Sequence, residues 1–281
     1  MIDHKDFRTG QRTLLLDAIV HTPVRVAYTD LGRGDPVLLL HGIPTWSYLY
    51  ADVIPILSRS HRVIAPDLLG HGWSDRRDCF DRSLTTQARM VLRLMDKLEI
   101  ERASVVGHDT GGGVAQILAV EHPDRLHKLV LTNAVAYDSW PIDDMIALGD
   151  PTWQSRTAAE VAAFLDEGLA DGLSRSHRLT PQWRQAILAP YQDEEGKLSI
   201  IRCAAALNTN HTTALVDRLN TVVAPTLVIW GVDDPWQKIG DADRLVADIP
   251  GARLARISNA SHWLPHDASA EFTEEVGRFL S

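Results

Sequence analysis

Four short stretches of this chain carry side chains that, brought together, do nucleophilic chemistry. The first is Val105-Val106-Gly107-His108-Asp109-Thr110-Gly111-Gly112-Gly113, an apolar run, then G-x-D-x-G, then a helical pattern. A sharp strand-to-helix turn crowds the backbone, so small residues flank it and the central residue takes strained φ/ψ. That residue is presented at the sheet edge and at a helix N-terminus, which favours negative charge. Ser is its usual occupant, and here it is Asp109. Taken alone, the pattern also fits a Gly-rich turn with an Asp cap. His41-Gly42-Ile43-Pro44 follows another apolar run and can aim a backbone N–H at the same edge. With the N–H of Thr110 it makes a two-donor hole for an oxyanion. In Trp230-Gly231-Val232-Asp233-Asp234-Pro235 either Asp can orient a histidine. His262, in Ser258-Asn259-Ala260-Ser261-His262-Trp263-Leu264-Pro265, is alone among twelve histidines in standing in a loop after a late strand. A lone loop histidine is usually solvated and idle; the chain order nucleophile, acid, histidine raises this one above that.

The elements that must position these residues are legible as alternating strands and helices, which predicts a mainly parallel sheet covered by helices. Pro36–His41, Arg62–Pro66, Ala103–Gly107, Lys128–Thr132, Thr226–Trp230 and Arg253–Ile257 are short continuous apolar runs of the kind buried on both faces. Val24–Asp30 reads as an early strand, hairpin-paired with Leu14–Val20. Ser83 is placed to cap a helix burying Ala88, Val91, Leu92, Met95 and Leu98. Gly111–Glu121 and Asp267–Leu280 read as helices too. From about Ala134 to Thr213 there is no convincing strand, only helical pieces punctuated by Pro141, Pro151, Pro181 and Pro190. The expected organisation is a core of residues 1–133 and 214–281, with a helical cap over residues 134–213.

Together these motifs resemble the α/β-hydrolase superfamily over essentially the whole chain. An Asp at the elbow resembles its epoxide hydrolase and haloalkane dehalogenase branch. The resemblance implies that Asp109 attacks an electrophilic carbon to form an ester and that His262 activates water to hydrolyse it. In that branch the acid stands three residues after a Gly, which falls on Gly231 and Asp234 and so selects Asp234 over Asp233. The backbone N–H groups of Ile43 and Thr110 are the implied oxyanion hole.

The two subfamilies separate on particular residues. The loop His41 to Tyr50 looks like the dehalogenase version. Dehalogenases, however, hold the halide with a Trp after the nucleophile and often a polar residue at the third position of HGxP. Those positions are Thr110 and Ile43 here, which favours epoxide opening to a diol, with dehalogenation second. Epoxide opening needs a proton donor for the alkoxide, and the family supplies cap tyrosines. Tyr191 is the first choice and Tyr137 the second, while Trp153 is a candidate halide or substrate contact; each has packing as its ordinary alternative. Further readings are an esterase- or lactonase-like enzyme, and a non-catalytic ligand-binding member of the fold.

Composition bounds the rest. The chain has 281 residues, 45% of them apolar and 23% charged, an ordinary globular balance for one large domain. A formal charge of -9 without a Lys/Arg cluster argues against a nucleic-acid or anionic-membrane partner. Cys79 and Cys203 make no disulfide framework. There is no H-E-x-x-H and no Cys-x-x-Cys, so no metal or other cofactor is expected. The polar start from Met1 to Gly10 is unlike a signal peptide and no apolar run reaches a membrane span, which points to a cytoplasmic protein, monomer or homodimer. Eight Trp, several in the cap, suit a small apolar substrate, with water as co-substrate.

Overall fold

A computed structural model describes residues 2–281. Its centre is an 8-stranded sheet in the order β1-β2-β4-β3-β5-β6-β7-β8. The strands are β1 Arg12–Leu16, β2 Val24–Leu31, β3 Pro36–Leu40, β4 Arg62–Pro66, β5 Ala103–Asp109, β6 Leu126–Ala134, β7 Thr226–Gly231 and β8 Arg253–Ile257. β1 and β2 form an antiparallel hairpin and β2 joins β4 antiparallel. From β4 onward every pairing is parallel.

The apolar runs lack polar alternation because the sheet is covered on both faces. Leu38, Leu40, Ile64, Val105, Leu129, Leu131 and Val228 enter one core. Their neighbours Val37, Leu39, Val63, Val106, Val130 and Ile229 enter the other. The two-residue period of a strand thus divides one apolar string between two cores. Each fully buried Val or Leu adds roughly 1.5–3 kcal/mol.

Helix Leu84–Lys97 begins where Ser83 accepts a hydrogen bond from Thr86 N, as expected. It buries Ala88, Val91 and Met95, with Leu94 in place of Leu92 and Leu98, which are only half-buried. Three other expectations need correction. The first strand is not Leu14–Val20: it starts at Arg12 and stops at Leu16, since Ala18 turns the chain with φ 62°. The last helix is not continuous over Asp267–Leu280: it is split into Leu264–Asp267 and Ser269–Leu280 by non-helical backbone at Ala268, with φ -127° and ψ 48°. At the N-terminal end a helix over His4–Gly10, capped by Asp3, escaped the sequence reading. It has about two turns of mixed polarity, and docks by setting Phe7 edge-on against the stacked Trp46 and Tyr48 rings.

Between β6 and β7 every regular element is helical, in pieces that include Asp143–Leu148, Ala158–Asp171, Pro181–Leu188 and Glu194–Ala205, and a further helical piece, Val216–Thr221, lies past 213. Thr157 and Glu160 form a reciprocal capping box at the start of Ala158–Asp171. That helix turns Val161, Leu165 and Leu169 inward. Trp46, in the loop after β3, donates its indole N–H to Ala186 O across this layer. Among the described residues no helix is long and apolar enough to cross a membrane.

Candidate active site

β5 ends at Asp109, which holds φ 51° and ψ -122° as the N-cap of helix Thr110–Glu121. The turn is tight enough that a Cβ on Gly111 would meet the carbonyls of Leu40 and His41 at 2.4 Å. Only glycine lets the new helix start against β3, so the small residues of the elbow are a packing requirement. The loop after β3 is fixed by His41, which donates from Nδ1 to Gly42 O and accepts at Nε2 from Leu68 N. Those partners select the neutral Nδ1–H tautomer. The loop thereby brings Ile43 N within 2.9 Å of Asp109 Oδ1. The Thr110 N–H adjoins the same carboxylate and, like that of Ile43, favours its charged form. The expected pair of backbone donors thus faces the carboxylate of the elbow residue itself.

Asp234 and Asp233, equal in the sequence, have different surroundings. Asp233 is exposed and accepts from Ser174 Oγ at 2.9 Å. Asp234 is buried, and its Oδ2 accepts from His262 Nδ1 at 2.8 Å and from Asn133 Nδ2 at 2.6 Å. Its Oδ1 accepts from the backbone N–H of Trp236 at 2.8 Å and of Gln237 at 3.0 Å. Four donors hold one carboxylate in place, and Nδ1–H on His262 leaves Nε2 bare. That nitrogen stands 3.9 Å from Asp109 Oδ2. Asp109, Asp234 and His262 are therefore brought together. The histidine loop is anchored by the buried Asp267 carboxylate, which accepts from Ser261 N at 2.8 Å. Trp236 and Trp263 set their rings edge-on to the imidazole at 4.9 and 4.5 Å.

Burial raises the Asp109 carboxyl above its ordinary range, against His262 and the N–H groups of Thr110 and Ile43, which lower it. Burial alone would lower His262, but the charge and hydrogen bond of Asp234, and the charge of Asp109, outweigh it and leave the imidazole above 6.5. A raised acid beside a raised base, in a water-poor site, is the arrangement of a functional pair.

Asp109 and His262 open into a cavity of about 290 Å³, walled by Trp140, Ile142, Met145, Phe164, Trp236 and Trp263 among others. Its polar lining includes Gln237, Asp144, Glu167 and Asp171, and no Lys or Arg lines it. The size suits a small apolar molecule.

The tyrosines expected here are elsewhere. Tyr191 is fully buried within the helical layer, its hydroxyl 3.4 Å from His71 Nδ1, and it does not line the cavity. The short turn Ala189–Tyr191 swings its ring into the apolar cluster of Trp183, Ile187 and Ile200. Tyr137 has φ 52°, which turns its side chain toward helix Ile239–Asp248. There it donates to Asp248 Oδ2 at 2.7 Å under the Arg244 guanidinium. Trp153 does not line the cavity either; it packs at 4.7 Å behind Phe164, which does. The sequence reading missed Asn133, His108, Trp236 and Gln237. Their only sequence signals were a polar residue closing an apolar strand, adjacency to the elbow Asp, and adjacency to the acid. Among the described residues no group of three or more His, Cys, Asp or Glu is placed to hold a metal ion.

The sheet order, the elbow and the histidine loop are those of an α/β hydrolase. The chain belongs to that family: the model of the alpha/beta hydrolase fold matches residues 35–269. It is 32% identical over 256 residues to haloalkane dehalogenase 2 of Mycobacterium tuberculosis, covering 87% of each chain. It is also 30% identical over 275 residues to the 2-hydroxymuconate semialdehyde hydrolase of a Pseudomonas species, covering 94% of this chain and 93% of the relative. Among solved structures, an α/β-hydrolase-fold protein of Burkholderia ambifaria superposes with a TM-score of 0.85 at 25% identity, covering 94% of this chain and 99% of that one. The chain is thus similar to hydrolases of more than one reaction type.

Proposed function

We propose that the protein is a haloalkane dehalogenase-type hydrolase, displacing halide from a small apolar haloalkane through an ester on Asp109. The observation that carries this is the cavity wall. No tyrosine hydroxyl faces Asp109 and His262, whereas nitrogen donors stand beside them. The Trp236 indole N–H and the Gln237 Nε2 have no hydrogen-bond partner among the described residues, and both residues line the cavity. The indoles of Trp140 and Trp263 are already engaged, by Thr212 Oγ1 and Leu169 O. Indole and amide N–H groups solvate a departing anion but do not protonate it. A halide leaves as a stable anion, while the alkoxide of an opened epoxide needs a proton. The epoxide reading depended on Tyr191 or Tyr137 for that proton.

In the first step Asp109 Oδ2 attacks the carbon, a C–O bond forms, and the C–X bond breaks with its electrons leaving on the halide. In the second, His262 Nε2 takes a proton from water as the water oxygen attacks the Asp109 carboxyl carbon. Oδ1 becomes the oxyanion, opposite the N–H groups of Ile43 and Thr110. Collapse returns Asp109 and releases the alcohol, which takes its proton from His262. The balance is haloalkane plus water to alcohol, halide and a proton. The 30–32% identical relatives include both dehalogenases and a hydrolase of a semialdehyde that bears a carboxylate. The Asp elbow and a cavity lined by Asp144, Glu167 and Asp171 without a cation favour the neutral substrate.

The test is bromide release from a short bromoalkane, run beside diol formation from a small aromatic epoxide. Bromide from the wild type and none from Asp109→Ala is expected. Diol without bromide would return the assignment to epoxide hydrolysis.

A further inference from the structure

His108 precedes the nucleophile at the end of β5 and is fully buried. Its Nε2 lies 2.8 Å from the carbonyl oxygen of His262, 154 residues away in the chain. A carbonyl only accepts, so Nε2 carries the hydrogen and Nδ1 is bare. That Nδ1 is buried and has no partner. Burial leads, with the neighbouring His262 and His41 adding, in holding the His108 ring well below an ordinary imidazole, so it stays neutral. For filling space alone, a phenyl ring would serve without stranding a polar atom, and buried polar groups left unmade are rare. What the imidazole adds is one donor, aimed at the backbone of the residue carrying the base.

The His262 carbonyl has a second donor, Leu264 N at 2.7 Å. That bond lies within the loop and does not fix the loop relative to the sheet. The His108 bond does, joining the residue before Asp109 to His262 itself, with the two imidazole rings 4.8 Å apart. The Asp109 carboxylate is held independently, by Ile43 N.

We infer that His108 is a positioning residue for ester hydrolysis: its Nε2–H sets the gap between His262 and Asp109 into which the hydrolytic water fits. Alkylation uses only Asp109 and the leaving-group donors, so it does not depend on this bond. Hydrolysis does, because the water must touch both Nε2 of His262 and the Asp109 carboxyl carbon. The inference rests on the ester mechanism proposed above.

The experiment follows both half-reactions in His108→Phe and His108→Gln with a short bromoalkane, by the rapid bromide burst and by the mass of the Asp109 peptide during turnover. In His108→Phe the burst rate stays within about threefold of wild type while ester hydrolysis slows at least about tenfold, the loss of roughly one placed hydrogen bond. The ester then accumulates, and the Gln amide restores much of the hydrolysis. Should the Phe variant not fold, His108→Asn, too short to reach the carbonyl, carries the same expectation. Equal slowing of both steps, or no change in either, overturns the inference. His262→Gln separates the two levels of failure. Ester present there but not in His108→Phe rejects the role of His108 alone, whereas bromide release with no ester in His262→Gln rejects the Asp109 reading and this one with it.

Discussion

Asp109 Oδ2 and His262 Nε2 face each other across 3.9 Å, with no other protein group bridging them. A direct hydrogen bond between nucleophile and base is what a serine hydrolase needs, because the base must strip the nucleophile of its proton. A carboxylate has no proton to lose. The base is needed only afterwards, for water, and a gap wider than a hydrogen bond is where that water acts. The same separation that would weaken a serine enzyme suits an aspartate one.

Gly42 tests how closely the carboxylate is held. A Cβ there would meet Asp109 Oδ1 at 2.1 Å. It would also meet the Asp109 Cβ at 2.3 Å, which no side-chain rotation relieves, so Gly42→Ala pushes the loop and the elbow apart and takes the Ile43 N–H off the carboxylate. Bromide release is expected to fall by at least about a hundredfold, the scale of a lost oxyanion donor, with a circular dichroism spectrum like that of wild type.

Asn133 is a second test. Its amide bridges Asp234 Oδ2 and the backbone N–H of Gly231 from a residue at φ 41°. Asn133→Ala takes the side-chain acceptor from the buried Gly231 N–H and one of four donors from Asp234, and denaturant unfolding should show a loss of about 1–3 kcal/mol. Since Asp234 keeps its two backbone donors, turnover falls but survives.

The proposed leaving-group donors predict a split between the two steps of the reaction. Trp236→Phe keeps an aromatic ring beside His262 and removes the N–H; Gln237→Leu removes the amide. Each should slow the bromide burst about 10–100-fold, the range of a hydrogen bond to a charged group. Hydrolysis of the ester already formed should change little. An unchanged burst in both variants would show that the halide leaves elsewhere.

The pH dependence has a definite sign. His262 acts as a base only when neutral, and its pKa lies above 6.5 in the free protein. Ester hydrolysis should therefore rise as pH climbs, and the ester should build up in acid. Esterification removes the Asp109 charge, one of the causes that raise His262, so the pKa governing hydrolysis lies below that of the free site. Asp234→Asn removes the main raising cause and shifts the hydrolysis profile to still lower pH. Single-turnover rates across pH measure both.

Much of this was legible in the chain because it is local. The elbow glycines, the apolar runs and the loop motifs state their own geometry, since a tight turn or a doubly covered strand leaves few residue choices. The cavity walls were not legible, for a different reason. Whether Tyr137 faces the substrate or Asp248 depends on one backbone dihedral, and Tyr191 turns inward through a single 3₁₀ turn. Trp236 and Gln237 gain their places from a local turn in which Asp234 captures their backbone N–H groups, but where that turn faces is set by the long-range bonds of Asp234 to His262 and Asn133. Helical segments pack by whole faces, so the identity of the inward residue is settled by their neighbours.

The covalent role of Asp109 is tested most directly by following oxygen. A single turnover of a short bromoalkane, with enzyme in excess in heavy-oxygen water, should yield alcohol carrying ordinary oxygen from the carboxylate. The Asp109 peptide should gain the heavy atom. Alcohol labelled in that first turnover, with an unlabelled Asp109, would mean that water attacks the substrate directly and that Asp109 is not the nucleophile.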